Sequence, residues 1–320
     1  MTDAVLPTSE TTSEPSSEPS SEPSGEPTSE PTGGSTVDPL RAVLDVLQVQ
    51  RIDENTFLGT SLPQPGGRVF GGQVLAQSLL AAAGTVDPER LPHSVHGYFL
   101  RAGDVRQPIT FTVERLRDGR SFSARRTHAL QGGEPILSMT TSFQVPQSGM
   151  DHADGPPSGR PDPESVPSAL DVLREADSPL TRFWTQTSAF DIRHVESAIY
   201  TAPVEPATDR QMVWMRARGT VDGPEVLHRA LLAYACDQVL LEPILRRHGH
   251  SWATPGLSIA SLDHAMWWHR PVRVDEWLLY VQWAPSAQGG RGLGGARVHA
   301  ADGTLVASIA QEGMVRVPDA

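Results

Sequence analysis

The chain has 320 residues, 38 acidic against 26 basic, a formal net charge of −12 and a single cysteine, Cys236. That length allows two ordinary domains, and one cysteine excludes an internal disulfide framework. Every one of the 26 basic residues is arginine, so Schiff-base chemistry, covalently held pyridoxal phosphate, a lysine-tethered biotin or lipoyl group and any P-loop that needs its lysine are all excluded.

Residues 1–37 repeat "SEP" and "TSEP" units with no apolar periodicity. Proline breaks helix and sheet there, and the segment cannot bury enough surface to offset its ordering entropy, so it is expected to be disordered. It carries seven acidic and no basic residues, which leaves a charge of −5 for the remainder of the −12. It does not read as a signal peptide. No apolar run approaches the roughly eighteen residues a membrane span needs, and a cytoplasmic protein is expected. The last residues, "VRVPDA", carry no short address signal.

The first domain is expected over residues 38–145. Asp38-Pro39 is a helix start, with Asp as N-cap and Pro in the first turn, and Leu40, Val43, Leu44 and Leu47 share one face. "NTFLGTSL" (55–62) reads as a strand and "GGQVLAQSLLAAAG" (71–84) as a helix ended by Gly84. Four strand-like runs follow at 93–100, 109–116, 121–130 and 136–144, with Asp118-Gly119 and Gln131-Gly132-Gly133-Glu134 as hairpin turns. Residues 146–205 are rich in Pro, Gly and acid near their start and are expected to be a linker and connecting segment.

A second domain over 206–320 repeats the order: a strand at 211–219, a helix over 226–245, then strands at 257–268, 276–284, 293–300 and 304–313. Strand, helix and consecutive antiparallel strands, twice over, give an α+β class. A sheet curled round its own helix, duplicated, is the double hotdog pattern. In the second helix Val226, Ala230, Ala233, Asp237, Leu240 and Ile244 fall on one stripe. A carboxylate on such a face costs several kcal/mol unless it is paired. Such groups are rarely kept without hydrogen bonds or a task.

Most motif matches have plainer readings. "GRGLGG" (290–295) fits G-x-G-x-x-G, but a strand follows it instead of a helix, so a glycine-rich hairpin is expected. There is no G-x-S-x-G and no H-E-x-x-H. His248 and His250 are two apart and His264 and His269 five apart; neither makes a metal pair, and no metal is expected. Cys236 reads as a small buried thiol. No basic domain or aromatic–basic interleaving points to nucleic acid. Asp237, Ser261 and Gln311 remain as polar residues in apolar runs; together they could supply a base and two hydrogen-bonding groups to hold a nucleophilic water.

The stretches "RVFGGQVLAQSLLAA", "LPHSVHGYFLRAGD", "RDGRSFSARR", "SLDHAMWWHRP" and "LVASIAQEG" resemble those of acyl-CoA thioesterase II, the TesB-type enzymes related to peroxisomal acyl-CoA thioesterases. The resemblance covers about residues 40–317 in both halves. It implies a double hotdog fold, no cofactor, an acyl-CoA substrate and a catalytic Asp, Ser or Thr, and Gln that fall on Asp237, Ser261 and Gln311. For substrate binding, Gly72 and Gln73 at the helix start and Arg101 and Arg270 are the candidates, with Arg125 and Arg126 as further cations for phosphate. Gly71-Gly72-Gln73 could present oxyanion donors, or the glycines could serve turn geometry. Aromatic residues near Trp267 and Trp268 are candidates for an acyl tunnel. A homo-oligomer is expected. A hotdog enoyl-CoA hydratase and a non-catalytic acyl-CoA-binding module stay open; Glu242, five residues after Asp237 where a hydratase wants His, counts against the first.

Overall fold

Asp38 starts the first helix as expected: its carboxylate accepts from Leu40 N–H at 3.0 Å, and α1 runs over Pro39–Val46 with Leu40, Val43 and Val46 buried. The computed structural model describes residues 38–176 and 179–317, so the expected disorder of residues 1–37 lies outside them. β1 (Gln50–Arg51) and β2 (Thr56–Gly59) lead to α2 (Gly71–Ala83), and then come β3 (Leu91–Phe99), β4 (Ile109–Asp118), β5 (Phe122–Gln131) and β6 (Glu134–Gln144). α2 is buried nearly all round, its polar Gln73, Gln77 and Ser78 included. Gly84 does end it, but in ordinary right-handed conformation. A Cβ there would meet the Phe57 ring at 2.9 Å, so the residue is small for space and not for backbone freedom.

The segment 146–205 is more than a linker. It forms α3 (Ala169–Glu175), α4 (Pro179–Thr187) and β7 (Phe190–His194). Ser168 caps α3 through its hydroxyl, and β7 pairs with the next strand, β8 (Arg210–Ala217).

The second long helix is interrupted. α5 covers Glu225–Cys236, Asp237 is its C-cap, and α6 (Glu242–Arg247) begins after a tight turn. Gln238, Val239 and Glu242 each donate to the carbonyl three residues back. Pro243 explains the break: its ring would collide with the carbonyl four residues earlier in a continuous helix. The run expected as one strand over 257–268 is two, β9 (Ser258–Ser261) and β10 (Asp263–Trp268), and β11 (Leu278–Gln288), β12 (Arg291–Ala300) and β13 (Leu305–Arg316) complete the chain. "GRGLGG" opens β12 behind a turn at Gly289 and Gly290, both with positive φ, as the hairpin reading expects.

Among the described residues the strands form one antiparallel sheet of thirteen, ordered β1-β2-β4-β5-β6-β3-β10-β13-β12-β11-β8-β7, with β9 beside β13. The duplication is visible in that order: β2-β4-β5-β6-β3 in the first half matches β8-β11-β12-β13-β10 in the second. The two half-sheets join where β3 pairs with β10, Val95 opposite Met266. One buried core runs through both halves and both central helices. Among the described residues, no helix is long and apolar enough to cross a membrane.

Candidate active site

The first turn of α2 rests on the last turn of α5, and glycine makes that approach possible. A Cβ on Gly72 would stand 2.4 Å from the Tyr234 carbonyl oxygen; one on Gly71 would stand 2.7 Å from Asp237 Oδ2. Close helix contact, not turn geometry, is thus the demand on this Gly-Gly pair. Its product is a hydrogen bond between halves: Gly72 N–H donates to Asp237 Oδ2 at 2.7 Å. Negative charge is favoured at a helix N-terminus, where N–H groups lack helical partners.

The second oxygen of Asp237 meets the other two candidates. Ser261 Oγ donates to Oδ1 at 3.1 Å, and Gln311 Nε2 donates to the same oxygen at 2.8 Å; Gln311 Nε2 and Ser261 Oγ lie 2.8 Å apart. The three residues expected to act together therefore do meet. Ser261 sits where the chain steps between strands. Leu262 N–H donates to Glu312 O, and Leu262 O accepts from Phe99 N–H, so the step is pinned on both sides. Gln311 is not at a solvated strand end; β13 continues to Arg316 and the side chain is fully buried.

The turn after Asp237 is seated on glycines of the sheet. A Cβ at Gly294 would lie 2.1 Å from the Leu240 carbonyl oxygen. Gly294 of "GRGLGG" thus makes room for the backbone of the turn that follows Asp237.

Behind Gln311 lies His264, on the buried face of β10 with Met266 and Trp268. Its Nδ1 is 2.7 Å from Gln311 Oε1 and its Nε2 is 3.7 Å from Cys236 Sγ. The Cys236 thiol donates to Ala233 O. Burial, then the charge of Asp237, pushes its pKa well up, so it is no nucleophile at neutral pH.

Two cavities meet at Asp237. One, of about 330 Å³, is walled by Phe70, Leu170, Leu173, Trp184, Tyr200 and Trp252. The other, of about 600 Å³ and more open, has Arg68, Gly71, Phe99, Arg101 and Ser261 on its lining. Much of the apolar wall comes from α3 and α4, in the segment read as a connector. Trp267 and Trp268 line neither cavity; Trp268 is buried and Trp267 is partly exposed on the sheet's outer side, stacked edge-on against His96.

The expected substrate contacts separate. Arg101 lines the open cavity, paired with Glu134 at 2.9 Å and donating to Pro135 O. Arg270 does not line it: it binds Asp151, His152 O and Leu305 O, and so fastens the connecting segment to the sheet. Gly72 N–H is engaged by Asp237. Gln73 is buried, accepting from Leu62 N–H and donating to Thr60 O, which fixes the loop before α2. Arg125 is also buried, bound to Asp118 and to Thr85. Arg126 pairs with Glu114 on the surface. Glu242 is turned away from the site and accepts from His194, Gln211 and Trp252. Arg68 was missed, since nothing in the sequence separates one surface arginine from another.

Comparison with known proteins identifies the family. Family models described as the acyl-CoA thioesterase N-terminal and C-terminal domains match residues 60–144 and 159–315. The chain is 37% identical over 299 residues to acyl-coenzyme A thioesterase 8 of Homo sapiens, covering 89% of this chain and 93% of that protein. It is 40% identical, with a TM-score of 0.73, to an acyl-CoA thioesterase II from Mycobacterium marinum, covering 87% of this chain and 99% of that one. A hot dog fold protein from Alicyclobacillus acidocaldarius, 21% identical with a TM-score of 0.70 over 87% of this chain and 99% of that one, shares the fold.

Proposed function

Because the chain belongs to the TesB-type acyl-CoA thioesterase II family, we propose that it hydrolyses acyl-CoA thioesters with a water activated by Asp237. The observation that carries this reading is the convergence of Ser261, Gln311 and the α2 N-terminus on one carboxylate at the junction of two cavities.

Three donors hold the Asp237 carboxylate in a fixed orientation. A water bound by it, with Ser261 and Gln311 as neighbours, is a nucleophile with a base in reach. It attacks the thioester carbonyl carbon while Asp237 takes one of its protons. The tetrahedral intermediate expels the thiolate, and the proton on Asp237 leaves with it; the products are a free acid and CoA thiol. Thiolate is a good leaving group, so a separate strong acid is not required. The positive end of α2 holds Asp237 through Gly72 N–H, and with Gly71 on the lining of the open cavity its dipole also favours negative charge developing on the thioester oxygen there. The apolar cavity takes the acyl chain, and the open one, with Arg68 and Arg101, takes the CoA side, where cations suit phosphate.

The purified chain should release free thiol from a panel of acyl-CoA substrates of graded length. Acyl-CoA that stays intact in a tight complex would leave only a binding module. Water addition to an enoyl-CoA without thiol release would make the protein a hydratase; the orientation of Glu242 away from Asp237 is against that.

The wall position of Trp252 sets a second expectation. Its indole N–H is anchored to Glu242 at 3.1 Å. Trp252→Ala should move the optimum toward longer chains, with kcat/KM gaining about fourfold for each newly accommodated methylene, the equivalent of roughly 0.8 kcal/mol of burial. An unchanged length profile would place the acyl chain elsewhere.

A further inference from the structure

The buried histidine behind the site has a task that its surroundings define. The Gln311 side-chain amide has two possible orientations, but only one fits its neighbours. With Nε2 forward it donates to Asp237 Oδ1 at 2.8 Å and lies 2.8 Å from Ser261 Oγ, while Oε1 faces His264 Nδ1 at 2.7 Å. Turned over, Oε1 would confront the carboxylate, acceptor against acceptor. The forward orientation requires a proton on His264 Nδ1, since an amide oxygen only accepts. Burial, partly offset by the bond to Gln311 and the charge of Asp237, lowers the imidazole pKa, which keeps the ring neutral. Its Nε2 is then the unprotonated nitrogen facing the Cys236 thiol. His264 is only 1% exposed and lines neither cavity, so it touches no substrate.

We propose that His264 is a positioning residue: its Nδ1–H holds the Gln311 amide so that Nε2 always points at Asp237 and Ser261. This rests on the hydrolytic reading of the site. Without that donor the amide is free to turn, and the orientation that sets oxygen against Asp237 both disorders the carboxylate and loses a group that holds the water. Misplacing a positioned group by about an ångström costs on the order of a hundredfold in rate, so a partial loss of order should cost between about tenfold and a hundredfold.

The test compares two substitutions in the full chain. An asparagine side-chain amide can set an N–H near the place of Nδ1; leucine cannot. His264→Leu should lower kcat by roughly tenfold to a hundredfold with KM nearly unchanged, and His264→Asn should recover most of that loss. A merely structural role would show equal losses in the two variants that follow their melting temperatures. Equal losses, or wild-type kcat in a folded His264→Leu, would overturn the proposal. Should His264→Leu fail to fold, ¹⁵N NMR of histidine-labelled wild-type protein decides: the proposal requires the Nδ1-protonated neutral tautomer at His264, and an Nε2-protonated ring refutes it. That spectrum needs no substrate. An inactive wild-type enzyme with the Nδ1 tautomer would therefore sink the hydrolytic reading while leaving the geometry of this contact standing.

Discussion

Asp237→Asn is expected to fold and to lose roughly 10²–10⁴ in kcat for acyl-CoA hydrolysis, the range a positioned base supplies. The amide cannot take a proton from water, which is the first loss. The second is local order. Both carboxylate oxygens accept, Oδ2 from Gly72 N–H and Oδ1 from Ser261 and Gln311. Asparagine has one oxygen, so in either orientation its NH₂ group faces a backbone N–H or the Gln311 amide N–H. An unsatisfied buried donor of this kind costs about 1–3 kcal/mol, so the variant should also melt several degrees lower. Thiol release and thermal unfolding measure the two effects separately. Turnover near the wild-type value in a folded variant would show that another group is the base.

Gly72→Ala is expected to damage fold and site together. The added methyl would stand 2.4 Å from Tyr234 O and 2.7 Å from the Phe70 ring. Rings can turn, but the Tyr234 carbonyl is part of α5 and cannot move alone. The two central helices must part instead, and overpacking of this kind costs about 1–3 kcal/mol or more. As they part, Gly72 N–H withdraws from Asp237. The variant should unfold at lower denaturant and lose kcat beyond what its stability explains. Gly155→Ala, with no atom within 4 Å of the added methyl, is the control. If the two alanine variants behave alike, the helices are not in the tight contact described.

The three residues of the proposed site were legible because each breaks a local pattern. Asp237 stands on an apolar stripe, and Ser261 and Gln311 stand in apolar strands. That logic needs only spacing, although the helix carrying the stripe ends at Asp237; Pro243, within the leucine-rich run, is the sequence feature that marks the break. The duplication, the hairpins at Gly119 and Gly132-Gly133, and the Asp38 cap were likewise local.

What stayed hidden was tertiary. Proline and glycine around residues 146–165 made the connecting segment look featureless, yet Leu170, Leu173 and Trp184 beyond them wall a cavity. Arg270 and Arg101 are alike on paper; only folding puts one on the cavity and ties the other to Asp151. At Gly72 the sequence left oxyanion donation and turn geometry open, whereas its N–H in the fold donates to the protein's own Asp237 carboxylate. His264 was weighed only as half of a metal pair with His269. Strand alternation, which puts His264 inward with Met266 and Trp268, was the clue available for a different role.

The hydrogen bond between Gly72 and Asp237 has an evolutionary reading. A duplicated gene normally leaves each copy free to drift, since either can cover for the other. Here one copy carries the acid and its two companions, and the other carries the helix start that orients the acid. Its own central helix closes with Ala83-Gly84, where the second closes with Cys236-Asp237. On the proposed mechanism neither copy on its own holds a whole reaction centre, so loss of either half, or of the seam at β3 and β10, is expected to abolish hydrolysis.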